Sequence, residues 1–288
     1  MPYFYLFSTV FLFATSSIFG KAFTRRNSEC RGAETFYNFF MIFSVFVCWC
    51  VLFATSPSFS PVALIYSAIF GASFIIANVG LIYALKNGPA TLTALFMNLS
   101  LILTTFWGFI FWGDELTSTV IIGLVLVVIA IVLCLYSGEK SDKSVNLKWL
   151  IFALTALLGN ASCTITQRTY QDAYDGANGN MMMMFAIGFS ALFYLIIYLK
   201  SDRSDTPVMI KRSWWIPVAA GISNMVQNLF VMFMALSDLS PSLIYPVIAV
   251  GGLAVVTVFS IFLFKERMRW WQWIGVAVGA ASVALLSI

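Results

Sequence analysis

Ten stretches of mainly apolar residues follow one another along this chain, near 3–20, 33–54, 62–85, 89–112, 117–137, 147–168, 179–199, 214–236, 241–264 and 268–287. A helix needs about 20 such residues to cross the hydrocarbon of a bilayer. The breaks between them are short and have local reasons: Pro57 and Pro61 flank one link, Asn87-Gly88-Pro89 forms the next, Asp114-Glu115 marks another, and Ser237-Asp238-Leu239-Ser240-Pro241 a fourth. Lipid leaves backbone polar groups nothing to bond to, so the stretches must be helices. A transmembrane barrel would instead show alternating segments of about ten residues. Composition agrees. Hydrophobic residues make up 61% and charged residues only 10% of the 288, against about 45–50% and about 25% in soluble domains. The expected fold is all-α and integral to the membrane, with ten transmembrane helices. The bilayer is its first partner.

Charge sets the orientation. Lys21, Arg25, Arg26, Arg31, Lys86, Lys140, Lys143, Lys148, Lys200, Arg203, Lys211, Arg212, Lys265, Arg267 and Arg269 all fall at the odd-numbered links, which leaves Arg168 alone on the other side. The positive-inside rule then places the odd links in the cytoplasm and both termini outside, in a cell's inner (plasma) membrane. Trp214-Trp215 and Trp270-Trp271 follow basic residues, as interfacial tryptophans do. The first residues, Met-Pro-Tyr-Phe-Tyr-Leu, show no basic region or cleavage site, so no signal peptide is expected. A net charge of +4 is too small to point to nucleic acid.

The two halves echo each other about 150 residues apart. Ala77-Asn78-Val79-Gly80-Leu81-Ile82-Tyr83-Ala84-Leu85 parallels Gln227-Asn228-Leu229-Phe230-Val231-Met232-Phe233-Met234-Ala235-Leu236; each is followed by a proline, Pro89 or Pro241, and a new span. That span ends near a glutamate, Glu115 or Glu266, and the last span of each half carries an early glycine, Gly123 or Gly275. Five helices is an odd number, so the second copy must enter the membrane from the opposite side. Residues 1–137 are therefore read as one five-helix repeat, 138–146 as a cytoplasmic link, and 147–288 as a second, inverted repeat. Inverted repeats support alternating access around a midplane site.

On these features the chain resembles the drug/metabolite transporter superfamily, in its ten-helix EamA-like branch. The residues that carry the likeness are Asn87-Gly88-Pro89-Ala90-Thr91-Leu92-Thr93-Ala94 and Phe111-Trp112-Gly113-Asp114-Glu115-Leu116. Their second-half counterparts are Leu239-Ser240-Pro241-Ser242-Leu243-Ile244 and Phe264-Lys265-Glu266-Arg267-Met268. The resemblance implies a carrier of amino acids, other metabolites or drugs, often working outward. Many bacterial relatives look cytoplasmic at both termini, with a basic link after the second helix. Here that link, Ala54 to Ser60, has no charge, and the chain reads as inserted the other way up.

Polar side chains inside the spans mark the candidate site, because they face a bundle interior rather than lipid. Asn224, Gln227 and Asn228 share one helix face, as do Asn160, Cys163, Thr164 and Gln167. Thr91, Asn98 and Thr105 form a stripe in the fourth span, and Asn78 is the repeat partner of Asn228. Tyr83, Trp107 and Tyr245 are candidate aromatic walls. An isolated amide also serves simply to join helices, for about 0.6 kcal/mol on average. Gathered on two faces, the amides suggest a polar cavity, with Asn78, Asn98, Asn160, Thr164, Gln167, Asn224, Gln227, Asn228, Tyr83 and Tyr245 as its substrate-binding residues.

No acid or base lies mid-span. A phosphorylated solute would want basic residues in its pocket, and a proton exchanger a buried carboxylate, so a neutral or zwitterionic solute is expected. There is no histidine, which removes the usual proton shuttle and the commonest metal ligand. With no nucleophile–base pair and no metal set, no enzyme and no cofactor are expected. The five cysteines read as small buried hydrophobes. Glu115 and Glu266 read as charges at helix N-termini, and Met181–Met184 as lipid-facing filler. Gly275 and Gly279 read as close packing within the chain, or as the seam of a homodimer of an otherwise monomeric protein. The expected function is a secondary transporter of a small metabolite or drug-like solute. The alternatives are an uncoupled facilitator or channel, or an importer of a small organic cation.

Overall fold

A computed structural model describes residues 2–87, 90–113, 116–135, 146–264 and 270–286. Among these residues the chain is helical and has no strand: α1 (Pro2–Arg26), α2 (Ala33–Thr55), α3 (Pro61–Asn87), α4 (Ala90–Phe111), α5 (Ser118–Leu135), α6 (Leu147–Tyr174), α7 (Gly179–Lys200), α8 (Thr206–Ser213), α9 (Trp215–Ala235), α10 (Pro241–Phe264) and α11 (Trp270–Leu286). Six of them are long and apolar enough to cross a membrane, and four others carry shorter apolar stretches. Every one of the ten longer helices turns large apolar side chains outward, such as Ile65 on α3, Ile110 on α4 (72% exposed) and Phe262 on α10 (76%). An exposed surface of that kind belongs in lipid. Glu115, Glu266, Gly88, Pro89 and residues 138–145 lie outside the described residues.

The long helices coincide with the ten apolar stretches. α8 is additional: eight residues started by Asp205 and Pro207, a combination suited to a first helical turn. Its inner side, Met209 and Ser213, is buried against Phe23, Phe36 and Asn27. Asn27 Nδ2 donates to Phe23 O and to Ser213 Oγ, each at 2.9 Å, and so ties the end of α1 to α8. Nearby, the Ser204 N–H donates to Asp202 at 3.0 Å and holds that carboxyl below its ordinary range, with Arg31 adding to the effect. α6 runs on past its apolar stretch to Tyr174. It can do so because Arg168 Nε meets Asp172 Oδ2 at 2.9 Å one turn later, and Arg168 Nη1 also donates to Met234 O at 3.4 Å, at the C-terminal end of α9, where a cation is favoured.

Packing between the halves is reciprocal. α3 lies along α6 and α7, and α9 lies along α1 and α2; α4 touches α6, and α10 touches α1; α2 meets α7, α5 meets α11, and α4 meets α10. Two glycines make the likeness concrete. A methyl on Gly71 would stand 2.9 Å from Ala186 O of α7, and one on Gly221 would stand 2.5 Å from Met41 O of α2. These positions lie about 150 residues apart, each on a helix pressed against the other half. Direction is reciprocal too. α6 starts where α3 ends, since Asn146, which caps α6, donates to Asn87 O at 3.1 Å. α1 starts beside the C-terminal part of α9, where Tyr5 lies 5.1 Å from Phe230 and 5.5 Å from Phe233.

Met181, Met182 and Met183 are fully buried in the core between α2, α3, α6 and α7. This corrects the expectation that the methionine run faces lipid. Ser67 of α3 donates to Met182 O at 2.8 Å and fixes that face of α7 inward.

Candidate functional site

A cavity of about 260 Å³ lies midway along the bundle. α6 lines it with Asn160, Cys163, Thr164 and Gln167, and α9 with Asn224, Gln227 and Asn228. Helical spacing puts each set on one face, and the packing of α6 and α9 turns both faces to the same space. Asn98 enters from α4 and Tyr245 from α10, where Pro246 sits inside the helix. Among the described residues no Asp, Glu, Lys or Arg lines this cavity.

Of the ten residues picked out in the sequence, eight therefore meet here: Asn98, Asn160, Thr164, Gln167, Asn224, Gln227, Asn228 and Tyr245. Asn78 does not. Its Nδ2 donates to Phe74 O at 2.8 Å, and it lines a second cavity of about 690 Å³ instead. Tyr83 does not either. It is half exposed, its ring 5.0 Å from Phe152, with Lys86 Nζ 5.6 Å from its ring centre. Trp107 stands outside as well, stacked on Phe111 at 4.2 Å.

The sequence reading missed α1 and the middle of α3. Phe13, Ser16 and Ser17 on one, and Phe70 and Phe74 on the other, complete the wall. The signal available was Thr15-Ser16-Ser17, a polar cluster inside the first apolar stretch.

Among the described residues, two further cavities lie along the same helices. The 690 Å³ cavity continues from the central one by a turn or two along α1 (Gly20, Phe23, Thr24) and α3 (Asn78, Leu81, Ile82). A third, of about 440 Å³, lies beyond Gln167 and Asn228, lined by Gln171, Met232, Leu236 and the turn before α7. The polar face of α6 thus runs on from Asn160 through Gln167 to Gln171. A close approach of backbones also lies on this helix. Gly159 packs on Ala77 and Ser73, and Gly80 on Ala156 and Phe152; Ser73 and Ser162 are hydrogen-bonded at 2.9 Å.

A bundle of apolar helices, lipid-facing outside and enclosing a polar but uncharged cavity, is the build of a membrane transport protein. The comparisons name the group: the chain belongs to the EamA-like transporter family, which matches it over residues 1–136 and 147–288. It is thus a membrane transporter of the drug/metabolite superfamily. No curated protein matches the chain in sequence. Among solved structures, one described as "Crystal structure of protein" is similar in fold, with a TM-score of 0.78 at 13% identity, covering 99% of this chain and 95% of its own.

Proposed function

We propose that this protein is a secondary transporter that carries a small neutral or zwitterionic solute, of amino-acid size, by alternating access around the central cavity. The observation that carries this reading is the convergence of Asn98, Asn160, Gln167, Asn224, Gln227 and Asn228 on one uncharged space. Amides donate and accept, so they replace the hydration of a solute with no net charge. A volume of about 260 Å³ is small beside drug pockets of roughly 300–1,000 Å³, which suits a metabolite.

Ten membrane-spanning helices in two inverted repeats, 1–137 and 147–288, are part of the proposal. Reciprocal packing, opposed helix directions and the Gly71–Gly221 correspondence support it. Both termini are taken as extracytoplasmic and the direction as export, with the larger cavity beside Lys86 and Ser201 opening to the cytoplasm. The test is counterflow in proteoliposomes: saturable uptake of a labelled neutral amino acid, accelerated by the same solute trapped inside. Uptake that neither saturates nor shows acceleration would make the protein a channel.

A further inference from the structure

Two successive glycines, Gly251 and Gly252, stand in the middle of α10. Glycine weakens a helix interior relative to alanine, so each calls for a packing reason, and the two reasons differ. A methyl on Gly251 would stand 3.1 Å from Val10 Cγ1 and 3.2 Å from Val10 Cγ2. Val10 is buried in the core and is not among the residues that line the central cavity. A methyl on Gly252 would stand 2.5 Å from Phe13 Cδ1, 3.1 Å from its Cε1 and 3.2 Å from its Cγ. Phe13 is a wall of that cavity.

Helical spacing says where the missing side chain would point. Tyr245, Ile248 and Gly252 follow at i, i+3 and i+7, on one face of α10, and the first two line the cavity. Gly252 is the next position on that face. The ring of Phe13, coming from α1, takes the place a side chain there would fill. A methyl at 252 needs about 3.5–4.0 Å from the ring carbons, so the ring would have to move by about 1–1.5 Å. The ring borders open space, whereas the two helices are held together next door by Val10 against Gly251. The ring therefore gives way, and the space open to it is the cavity.

We propose that Gly252 is a positioning residue for Phe13 and, through it, sets the largest solute the cavity accepts. The proposal rests on the reading of this cavity as the transport site. With no side chain at 252, the ring lies back against α10 and the cavity keeps its volume of about 260 Å³. Any side chain there tips the ring inward and takes room from the apolar part of a solute. Small solutes are indifferent to the change, and bulky ones are refused.

Two readouts keep the size limit apart from the transport reading. For the first, the five native cysteines are replaced by alanine and Asn224→Cys is introduced in the cavity wall. The full chain in lipid nanodiscs is then labelled with methyl or benzyl methanethiosulfonate, and the two rates are compared. The second is counterflow of labelled L-alanine in proteoliposomes, with L-alanine, L-valine, L-leucine and L-phenylalanine as competitors. One methylene in a tight pocket changes discrimination by about tenfold or more, so Gly252→Ala is expected to lower the benzyl-to-methyl rate ratio about tenfold. It is expected to weaken the largest competitor by a similar factor and L-alanine by less than about threefold. Gly251→Ala loads the same pair of helices and is expected to leave both preferences unchanged. Phe13→Leu is expected to restore the ratio in the Gly252→Ala chain and to raise it alone, and the single variant serves where Gly252→Ala fails to fold. An unchanged ratio in Gly252→Ala, an equal fall in Gly251→Ala, or no effect of Phe13→Leu overturns the proposal. Counterflow that persists in that case leaves the transport reading standing. A ratio that shifts as expected while no amino acid drives counterflow overturns the transport reading and leaves Gly252 as the gauge of the cavity.

Discussion

Gly159→Ala tests the contact that sets the cavity's shape. The added methyl would stand 2.7 Å from Ala77 N and 2.9 Å from both Ala77 Cα and Ser73 O. Carbon contacts settle at about 3.5–4.0 Å, so α3 and α6 must part by roughly 0.6–1 Å. All three obstructing atoms are backbone, and no side chain can swing aside. The opposing Gly80 already lies against α6, with a methyl there 2.7 Å from Ala156 N and 2.9 Å from Phe152 O. Overpacking costs about 1–3 kcal/mol, and the rigid surroundings place this site in the upper half of that range. The move also stretches the 2.9 Å Ser73–Ser162 bond and swings Asn160, the next residue, off Ser100. Thermal unfolding of the purified chain in nanodiscs should show a lower midpoint, and counterflow should fall more than stability alone explains. The double variant Gly80→Ala/Gly159→Ala should cost less than the two single costs combined, because one separation of the helices relieves both. Unchanged stability and transport in Gly159→Ala, or strict additivity in the pair, would refute the close crossing.

Other consequences are open to direct measurement. Asn224→Leu or Gln227→Leu should cut the initial counterflow rate about two- to tenfold, the loss of roughly one hydrogen bond's worth of about 0.5–1.5 kcal/mol, while insertion stays normal because the helix becomes more apolar; transport at the wild-type rate would leave these amides as helix glue. Single cysteines placed in 138–146 should react with an impermeant thiol reagent only after permeabilisation, and labelling in intact cells would reverse the proposed orientation. Gly279→Leu should lower stability without changing the oligomeric state, since a methyl there already collides with Val250 and meets Ala130 at 3.6 Å in the same chain; a lost dimer would place Gly275 and Gly279 on a seam between copies instead.

Much of this was legible in the sequence because lipid leaves so few options. Ten apolar stretches flanked by Pro, Asn, Gly and charge give ten long helices, and i, i+3, i+4 spacing says which amides share a face. Spacing does not say how far each helix is rotated toward its neighbours. Asn78 and Asn228 match in the repeat, yet they line different cavities, because Asn78 lies one turn beyond Phe74 on α3. Tyr83 falls outside for the same reason. The burial of Met181–Met183 follows from α7 being held on both sides, by α2 and α3, a tertiary fact that an apolar run cannot carry. α8 was readable in principle from Asp205-Thr206-Pro207. It is too short and too charged to register among membrane-length segments.

The third cavity holds an oddity that bears on the cycle. Gln171 is 1% exposed, and neither its Oε1 nor its Nε2 has a hydrogen-bond partner. Methyls built on Gly179 and Gly176 would stand 3.0 Å from Nε2 and 3.1 Å from Oε1, so the turn 175–179 lies over the amide like a plate. Burying an unpaired polar group costs about 1–3 kcal/mol for each group left unmet, and such groups are rare in native folds. The cost is tolerable where another state of the molecule repays it. Gln171 lies one turn beyond Gln167 on the polar face of α6, between the central cavity and the end of the bundle opposite the larger cavity. On the alternating-access reading, opening that end wets the amide or gives it to the solute, and the strain in the present state favours the opening. Gln171→Met keeps the unbranched length of the side chain and carries no amide. It should therefore raise the thermal midpoint of the purified chain, since an apolar group of equal size ends the unpaired burial. It should at the same time slow counterflow, because the closed end loses its reason to open. A variant that is less stable than the parent would show that the amide is paired in the closed state. A variant that is more stable and transports at the full rate would show that opening this end owes nothing to Gln171.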